Sequence, residues 1–389
     1  MQNYLFKDIS IVNEGSIYVA DVLVKKERIE KIAKAISTKD RVTEILGEGK
    51  FLLPGIIDDQ VHFREPGLTH KGNIYTEARA AVAGGVTSFM EMPNTIPNTL
   101  TRDLLAEKYH IASKSSLANY SFFMGASNTN IEEVLQVNKL KKEVCGIKIF
   151  LGSSTGNMLV DNEYTLDRIF AESELLIATH CEDEIIIRDN YERLKSQKPV
   201  LHAADHPIIR NEEACYASSS AAIARAKKYG SRLHILHIST AKETALFSNT
   251  IPLLQKRITA EACVHHLHFT ADDYDALGYM IKCNPAIKSP EHKKALWEAL
   301  LDDRLDIIAT DHAPHTSAEK MPPYEHAHSG LPLVQHSLSI MLKYYKEGFI
   351  SLEKIVEKMC HAVADCFKIK DRGYIREGYY ADLVMLDPA

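Results

Sequence analysis

The chain has 389 residues, which is enough for a barrel of about 250 residues and a smaller attached domain. Its formal net charge is −6 at pH 7, which argues against a nucleic-acid partner because a phosphate-binding face usually needs a basic excess. No apolar stretch predicts a signal peptide or a membrane span, and the seven cysteines form no CxxC pair. We therefore expect a cytoplasmic protein with reduced thiols and without nucleic-acid or membrane partners. The acidic balance excludes neither a small anionic ligand, which one local arginine can bind, nor a homo-oligomer.

Residues 4–53 consist of short β-like runs, and the pattern changes at Pro54-Gly55. From there, short apolar runs alternate with amphipathic helical segments. The strand candidates are GIIDDQVHF, VTSFMEM, YSFFMGA, CGIKIFL, LLIATHC, LHILHIS, ITAEACV and DIIATDH. Eight β-then-α units in one register predict an α/β fold of the (β/α)8 TIM-barrel type. An open doubly wound sheet is the competing architecture, and the absence of a Gly-x-Gly-x-x-Gly turn disfavours it.

The C-terminal part of the chain has a different pattern. Two helical stretches, LVQHSLSIMLKYYKEG and LEKIVEKMCHAVADCFKI, follow the last barrel strand. GYYADLVMLDPA then has the pattern of a strand that returns to the N-terminal β-rich segment. We therefore expect residues 1–53 and 373–389 to form a small β-rich domain from the two chain ends, and residues 54–372 to form the barrel.

Polar, chemically active side chains recur at the strand ends, where barrel enzymes carry their catalytic groups. The first strand has Asp58, Gln60, His62 and Arg64 at alternating positions, so that all four should face one side. The others are Asn94 after strand two, Lys148 in strand four, His180, His237 and Asp311 at the ends of strands five, six and eight, and His315 just beyond. A single histidine on a strand is usually structural, whereas this series indicates one shared site.

The residue types at these positions suit a metal centre. Imidazole and carboxylate groups are the usual ligands of a catalytic zinc ion with an open position. Lys148 lies in the apolar segment GIKIF, where a bare ammonium is costly to bury and nearby metal cations would lower its pKa further. A neutral lysine amine can react with carbon dioxide to form a carbamate, whose two oxygens can bridge two metal ions. An ion-paired lysine, or one whose amine reaches solvent, is the structural alternative.

A series of sequence blocks runs from about residue 50 to about residue 385. The blocks are PGIIDDQVHFREPG, GGVTSFMEMPNT, GIKIFLGSSTG, THCED, LHILHIST, VHHL, NPAIKS and ATDHAPHTSAEK. They resemble the block series of dihydroorotases in the cyclic amidohydrolase superfamily, and the Met-Pro-Asn-Thr and Asp-x-Ala-Pro-His-x4-Lys blocks are the specific ones. The resemblance implies zinc-dependent, reversible cyclisation of N-carbamoyl-L-aspartate to dihydroorotate, a step of de novo pyrimidine biosynthesis.

The resemblance also implies roles for single residues, carried over by motif. The metal set is His62, a carboxylated Lys148, His180, His237 and Asp311, holding one or two zinc ions. Asp311 is also the catalytic residue, which takes a proton from the attacking hydroxide and delivers it to the leaving nitrogen. The substrate-binding residues are Arg64, Asn94 and His315 for the carboxylate and Asn284 for the pyrimidine ring.

The remaining histidines of these blocks receive structural interpretations. His234 is expected to pack within its strand, and His312 to face away from Asp311. His265 and His266 match a family pair that is expected to be structural or to support the metal ligands. The residues His326, His328 and His336 show no metal-ligand spacing and are expected on loop or helix surfaces.

Gln60 departs from the family pattern. Dihydroorotases usually show Asp-x-His-x-His-x-Arg in the first block, and this chain has glutamine in place of the first histidine. An amide oxygen is a neutral, weak ligand for zinc. We therefore expect the metal site on the His62 and Asp311 side to be weaker than the site on the His180 and His237 side.

Two other functions compete with this interpretation. The first is a hydantoinase or allantoinase on the same barrel, which shares the metal set but has no ring carboxylate to bind. Arg64 and Asn94 argue against it, because a guanidinium fork suits a carboxylate. The second is a catalytically inactive dihydroorotase-like subunit that supports a transcarbamoylase, and Gln60 is the one residue that favours it.

Overall fold

The computed structural model describes residues 2–152 and 157–388, so the SSTG end of the GIKIFLGSSTG block lies outside the described residues. The strands of the described part follow in chain order. They are β1 (Tyr4–Asn13), β2 (Ser16–Lys25), β3 (Arg28–Ala33), β4 (Thr43–Leu46), β5 (Phe51–Pro54), β6 (Ile56–Val61), β7 (Val86–Glu91), β8 (Asn119–Gly125), β9 (Gly146–Phe150), β10 (Ile177–His180), β11 (Leu233–Ile235), β12 (Ile258–Cys263), β13 (Ile307–Ala309) and β14 (Leu383–Leu386).

Strands β6 to β13 form an eight-stranded parallel sheet in sequence order. The sheet closes on itself where Val61, at the end of β6, forms a parallel bridge with His312, just beyond β13. The backbone N–H of His62 donates to the carbonyl of His312 over 2.7 Å at the same seam. The predicted (β/α)8 barrel is therefore confirmed, and the open sheet is excluded.

Helices cover the outside of this barrel. The longer ones are Ile74–Ala83, Arg102–Ser115, Glu163–Glu172, Glu184–Gln197, Glu212–Tyr229, Pro290–Leu301 and Ser337–Lys346. Short helical segments are Ile131–Gln136, His206–Ile209, Ala241–Thr244, Val264–His268, Tyr274–Leu277 and Ser317–Lys320, and the last helical stretch comprises Leu352–Val356, a π turn at Glu357–His361 and Ala362–Phe367. None of the described helices is long and apolar enough to cross a membrane.

The helix that begins at Glu184 shows how the sequence sets these elements next to a strand end. Its N-cap is Asp183, whose carboxylate accepts the backbone N–H groups of Ile185 and Ile186. These amides would otherwise lack partners at the first turn. The cap starts the helix three residues after His180, the last residue of β10. His180 is thereby left at the open rim of the barrel.

The second sheet joins the two ends of the chain. Its strand order is β14-β5-β1-β2-β3, and β4 pairs with β1. Strand β14 runs antiparallel to β5, with Met385 opposite Leu52. The predicted return of the C-terminal strand to the N-terminal β-rich segment is therefore confirmed.

Apolar side chains fill the lower part of the barrel. Ile57, Met90 and Phe123 on β6, β7 and β8 belong to one buried cluster, together with Leu176 just before β10 and Leu236 just after β11. Full burial of each such side chain contributes about 1.5–3 kcal/mol to folding. This packed cluster lies next to the polar groups of the barrel, since Leu236 directly precedes His237.

Candidate active site

A cavity of about 220 Å³ opens at the C-terminal ends of the barrel strands. Its walls include His62, Arg64, Asn94, Lys148, His180, His237, Asn284, Asp311 and His315, together with Gln60 and Phe150. All the predicted metal ligands and substrate-binding residues therefore line one cavity, whereas Asp58 does not line it and accepts the hydroxyl of Thr310 instead. Their individual roles stay predictions.

His62 and Asp311 form a contact across the seam of the barrel. Nε2 of His62 lies 3.0 Å from Oδ1 of Asp311, and Nδ1 of His62 lies 2.8 Å from Oδ1 of Asn94. The Asn94 oxygen can only accept, so Nδ1 carries the ring proton when the imidazole is neutral and Nε2 presents its lone pair. Burial lowers the pKa of His62, which favours that neutral form. Burial raises the pKa of Asp311, but a proton or another cation at the His62 contact, together with nearby Lys148, outweighs it and holds the pKa of this carboxyl below its usual value.

His180 and His237 form a second pair on the opposite side of the cavity. Nδ1 of His180 lies 3.0 Å from Nε2 of His237. The other nitrogen of His180 lies 2.9 Å from Oε2 of Glu182, which is itself paired with Arg210. Burial and then the charge of His180 lower the pKa of His237 well below its usual value. Both rings are therefore set to be neutral, and Glu182 fixes which nitrogen of His180 faces its partner.

Lys148 lies between these two pairs. Its side chain is 1% exposed, and burial lowers its pKa to about 8. Nζ lies 4.4 Å from the centre of the Phe150 ring and makes no hydrogen bond or ion pair within residues 2–152 and 157–388. The ion-paired alternative therefore finds no partner in the described chain. With a pKa of about 8, roughly a tenth of this amine is uncharged at pH 7 and able to react with carbon dioxide.

Arg64 carries the positive charge of the cavity wall. Its Nε donates to the carbonyl of Pro314 over 3.1 Å, and Nη2 lies 3.0 Å from Nε2 of His315, which also lies 3.1 Å from the carbonyl oxygen of Ser329. Arg64 is 7% exposed, and no carboxylate of the described residues lies within ion-pair distance of its guanidinium. Lys71 approaches the other nitrogen of His315 at 3.2 Å. Burial and then these two cations lower the pKa of His315 to about 2, so the ring is neutral between two positive charges.

Asn284 faces the cavity from the loop before the helix Pro290–Leu301. Its Oδ1 lies 3.0 Å from Nε2 of His206, whose Nδ1 lies 2.8 Å from the hydroxyl of Tyr324. With Tyr324 donating to Nδ1, His206 donates from Nε2 to Asn284. The amide nitrogen of Asn284 is therefore left as a donor toward the cavity.

The side chain of Gln60 reaches Asp311 but turns its amide nitrogen toward it, and an amide nitrogen that donates a hydrogen bond is not a metal ligand. Its Nε2 donates to Oδ1 of Asp311 over 3.1 Å, and its Oε1 lies 3.8 Å from the sulfur of Cys263. Only its backbone N–H contacts Asp58, over 3.3 Å. Cys263, His265 and His266 are buried beside this amide with their donor atoms within 4.8 Å of one another.

Three residues of the site have a left-handed backbone. Arg64, His237 and Asp311 have φ values of 69°, 40° and 46°. This region is uncommon for residues with a Cβ atom and typically costs about 1–3 kcal/mol. Each of the three follows its barrel strand by two or three residues. The strain is therefore confined to the points where the strands turn toward the cavity.

Comparison with known proteins places the chain in a family. The model of the amidohydrolase family matches residues 51–389. The chain belongs to the amidohydrolase family. A dihydroorotase of Halobacterium salinarum is 32% identical over 95% of this chain and 84% of its own length. A dihydroorotase of Carboxydothermus hydrogenoformans is 32% identical over 98% of this chain and 87% of its own length.

Solved structures of other amidohydrolases share the fold. An L-hydantoinase (dihydropyrimidinase) from Arthrobacter aurescens superimposes with a TM-score of 0.91 at 27% identity, covering 99% of this chain and 86% of that one. A dihydropyrimidinase from Brevibacillus agri gives a TM-score of 0.88 at 22% identity, over 100% of this chain and 87% of that one. The similarity to the Brevibacillus agri structure shows only that the two proteins share the barrel fold.

The spacing of the donor atoms in this amidohydrolase suits metal ions. Zinc bonds of about 2.0–2.1 Å in a tetrahedral arrangement place neighbouring ligand atoms about 3.3 Å apart. The His62–Asp311 and His180–His237 contacts, both 3.0 Å, are close to this spacing. Without an ion, the two facing imidazole nitrogens of His180 and His237 must share a proton. An ion between them would use both lone pairs.

Several contacts of the amidohydrolase site were not predicted from the sequence. They are the supports from Glu182 to His180 and from His206 to Asn284, the contact between Asn94 and His62, and the stacking of His328 on His315. The expected surface position of His328 is confirmed, but this exposed ring also lines the cavity. His312 faces Glu77 at 2.8 Å, away from the cavity, as expected.

Proposed function

We propose that this amidohydrolase is a zinc-dependent dihydroorotase, which interconverts N-carbamoyl-L-aspartate and dihydroorotate in de novo pyrimidine biosynthesis. Two observations support the proposal together. The relatives compared above at 32% identity are dihydroorotases. The cavity also combines a metal-binding set with one buried guanidinium, as a cyclic amide with a carboxylate requires.

The guanidinium of Arg64 is the observation that carries the choice of substrate. It is buried, no described carboxylate pairs with it, and Asn94 and His315 lie beside it on the cavity wall. A buried charge without a partner is costly, so an anionic group of the substrate would be bound strongly there. Dihydroorotate carries such a carboxylate, whereas dihydrouracil and hydantoin do not.

The same cavity would hold the metal ions. His62 and Asp311 would hold one zinc ion, His180 and His237 the other, and carboxylated Lys148 would bridge the two. When bound, zinc activates water at neutral pH and polarises the amide carbonyl. Lys148 supports this role through its low pKa and its lack of any described anionic partner.

Asp311 would move the proton in this reaction. In hydrolysis, water attacks the ring amide carbon, the carbon–nitrogen bond breaks, and the nitrogen needs a proton. Asp311 would accept a proton from the water at Oδ1 or Oδ2 and release it to the leaving nitrogen. Ring closure reverses each step. Asn284 would orient the ring through its free amide donor, which His206 holds in place.

The surroundings of the seven cysteines support a cytoplasmic enzyme. All seven are free thiols, and burial raises the pKa of those at the barrel, such as Cys263 and Cys283. Free thiols are usual in a reducing compartment. We therefore propose that the enzyme is cytoplasmic.

A comparison of substrates tests the proposal. Hydrolysis of dihydroorotate, dihydrouracil and hydantoin is measured with the zinc-loaded enzyme and with Arg64→Met. Loss of a charge-assisted contact of about 1.5–3 kcal/mol should lower kcat/KM for dihydroorotate roughly 10- to 100-fold. Activity on the uncharged rings should change little. The exposed Arg188, whose side chain is 69% exposed, gives the matched control Arg188→Met, which should leave all rates unchanged.

The outcomes separate the competing functions. Higher wild-type activity on hydantoin than on dihydroorotate would favour a hydantoinase, the activity in the name of the Arthrobacter aurescens neighbour. No activity on any ring, with zinc bound, would favour an inactive subunit that supports a transcarbamoylase.

A further inference from the structure

The barrel interior contains a second group of metal-binding side chains. Asp59 on β6, His234 on β11 and Glu261 on β12 meet inside the barrel, and all three side chains are 0% exposed. Their ligand atoms lie within 4.8 Å of one another. None of the three lines the active-site cavity. His234 was expected to pack within its strand, but that expectation does not explain why two carboxylates lie beside its ring.

The two carboxylates of this group have no lysine or arginine partner among the described residues. Nε2 of His234 lies 3.4 Å from Oδ2 of Asp59 and 3.2 Å from Oε2 of Glu261. Neither oxygen of Asp59 has a hydrogen-bond partner in the described part of the chain. No described lysine or arginine lies within 4.0 Å of either carboxylate. Two buried carboxylates are costly without a positive ion between them, which is either a metal ion or a shared proton.

The orientation of His234 favours a metal ion. Its Nδ1 lies 2.8 Å from the hydroxyl oxygen of Thr259, and that hydroxyl can donate to the carbonyl of Leu233 at 3.4 Å. Thr259 then accepts the Nδ1 proton, and Nε2 is left with a lone pair directed at the carboxylates. Histidines that bind metals usually donate their other ring N–H to an oxygen in this way.

We propose that Asp59, His234 and Glu261 bind a zinc ion in the barrel interior, separate from the ions of the active site. Their contacts of 3.2 and 3.4 Å bracket the spacing of about 3.3 Å between ligand atoms of tetrahedral zinc. Neither oxygen of Asp59 is engaged by another described group, so the carboxylate can turn toward the ion. Calcium takes six or more oxygen ligands and magnesium a full octahedron, so neither suits a dry site with three side chains.

The ion would position a residue of the active site. Oε1 of Glu261 accepts the backbone N–H of His237 over 2.9 Å, and His237 has a strained φ of 40°. A zinc ion that holds the other oxygen of Glu261 would fix this acceptor. The inner ion would therefore act on the active site through the backbone of His237, and not through contact with the substrate.

Anomalous diffraction on crystals of the full chain grown with zinc tests the proposal. Data collected on both sides of the zinc absorption edge should show a peak about 2.0–2.2 Å from the ligand atoms of Asp59, His234 and Glu261. In parallel, elemental analysis of purified protein should show that Asp59→Asn loses about one zinc ion per chain relative to the wild type. Asp306→Asn is the matched control, because this buried carboxylate pairs with Lys256 over 2.7 Å and lies outside both metal-binding groups.

The wild-type crystals decide the question even if Asp59→Asn fails to fold. A barrel interior without an anomalous peak would overturn the proposal and leave a shared proton as the occupant, since burial raises the pKa of both carboxyl groups. Equal zinc contents of the wild type and folded Asp59→Asn would overturn it as well. An inner peak beside an empty cavity would contradict the zinc-dependent function proposed above, but not this site.

Discussion

The amide nitrogen of Gln60 donates a hydrogen bond of 3.1 Å to Oδ1 of Asp311. The same carboxylate oxygen lies 3.0 Å from Nε2 of His62. The glutamine thus presents a donor to the centre of the site, where a histidine would present a lone pair. An amide donor stabilises the carboxylate but cannot bind a cation. The proposed metal site at His62 and Asp311 therefore has one ligand fewer than it would have with a histidine at position 60.

Replacing Gln60 with histidine should strengthen that site. Position 60 already faces Asp311, so an imidazole there can provide the missing nitrogen donor. We expect Gln60→His to tighten the weaker of the two active-site zinc-binding steps by about tenfold or more and to leave the tighter active-site step unchanged. Titration of the metal-free protein with zinc, followed by calorimetry, measures both steps.

The wild type provides the second half of this test. Its weaker zinc ion should leave first under mild chelation, and removal of that ion should lower activity. Two equally tight steps in the wild type, unchanged in Gln60→His, would show that Gln60 has no influence on metal binding.

Asp311→Asn tests the proton transfer. Asparagine has nearly the same shape but cannot accept and release a proton, and it is a poorer zinc ligand. A loss of about 10²–10⁴-fold in kcat is expected from the acid–base role, and weaker metal binding should add to it. Asp306→Asn makes the same change just before β13, where Asp306 pairs with Lys256 over 2.7 Å. It should retain activity, and wild-type turnover in folded Asp311→Asn would refute the mechanism.

Lys148→Ala tests the bridging carbamate. Without the lysine nitrogen no carbamate forms, so zinc content and activity should both fall. Acetate or propionate should restore part of the activity by filling the space as a surrogate bridge. Lys148→Arg fills the same space with a permanent cation and should not respond to these acids. Carbon-13 NMR of wild-type protein supplied with labelled bicarbonate should show the carbamate, and its absence from fully active enzyme would contradict the prediction.

The barrel could be predicted because its strands are buried on both faces. Such strands are near-continuous apolar runs in the sequence, and all eight predicted runs form strands of the closed sheet. The meeting of the predicted site residues in one cavity has the same origin, since the C-terminal ends of parallel strands share one rim. Strand pattern alone therefore places His180 and Lys148 near each other.

Contacts that depend on loop paths could not be predicted. His206 supports Asn284 from a position 78 residues earlier in the chain, and no spacing rule links the two. The inward position of Asp59 could not be predicted for a different reason. Strict alternation puts it on the face opposite Gln60, but the register of β6 is irregular between Asp58 and Val61, and both side chains reach the barrel interior.

The contact between His206 and Asn284 leads to a prediction about stability in acid. Burial, and then the charges of Arg210 and Lys282, lower the pKa of His206 to about 3 from its usual 6.5. Between these two values the unfolded chain binds a proton at this residue and the folded chain does not. The contribution of His206 to the free energy of unfolding is therefore fully present above about pH 6.5 and is lost as the pH falls toward 3.

His206→Gln should remove this dependence. Glutamine can still donate to Asn284 and accept from Tyr324 but does not titrate. The free energy of unfolding, measured by urea denaturation at several pH values below 6.5, should fall less steeply in the variant, by up to about 1.4 kcal/mol per pH unit. The exposed His110 gives the control His110→Gln, which should leave the slope unchanged. Equal slopes of unfolding free energy against pH in His206→Gln and the wild type would contradict the prediction. They would mean that His206 takes up its proton in the folded protein, so that its hydrogen bond to Asn284 does not require a neutral ring.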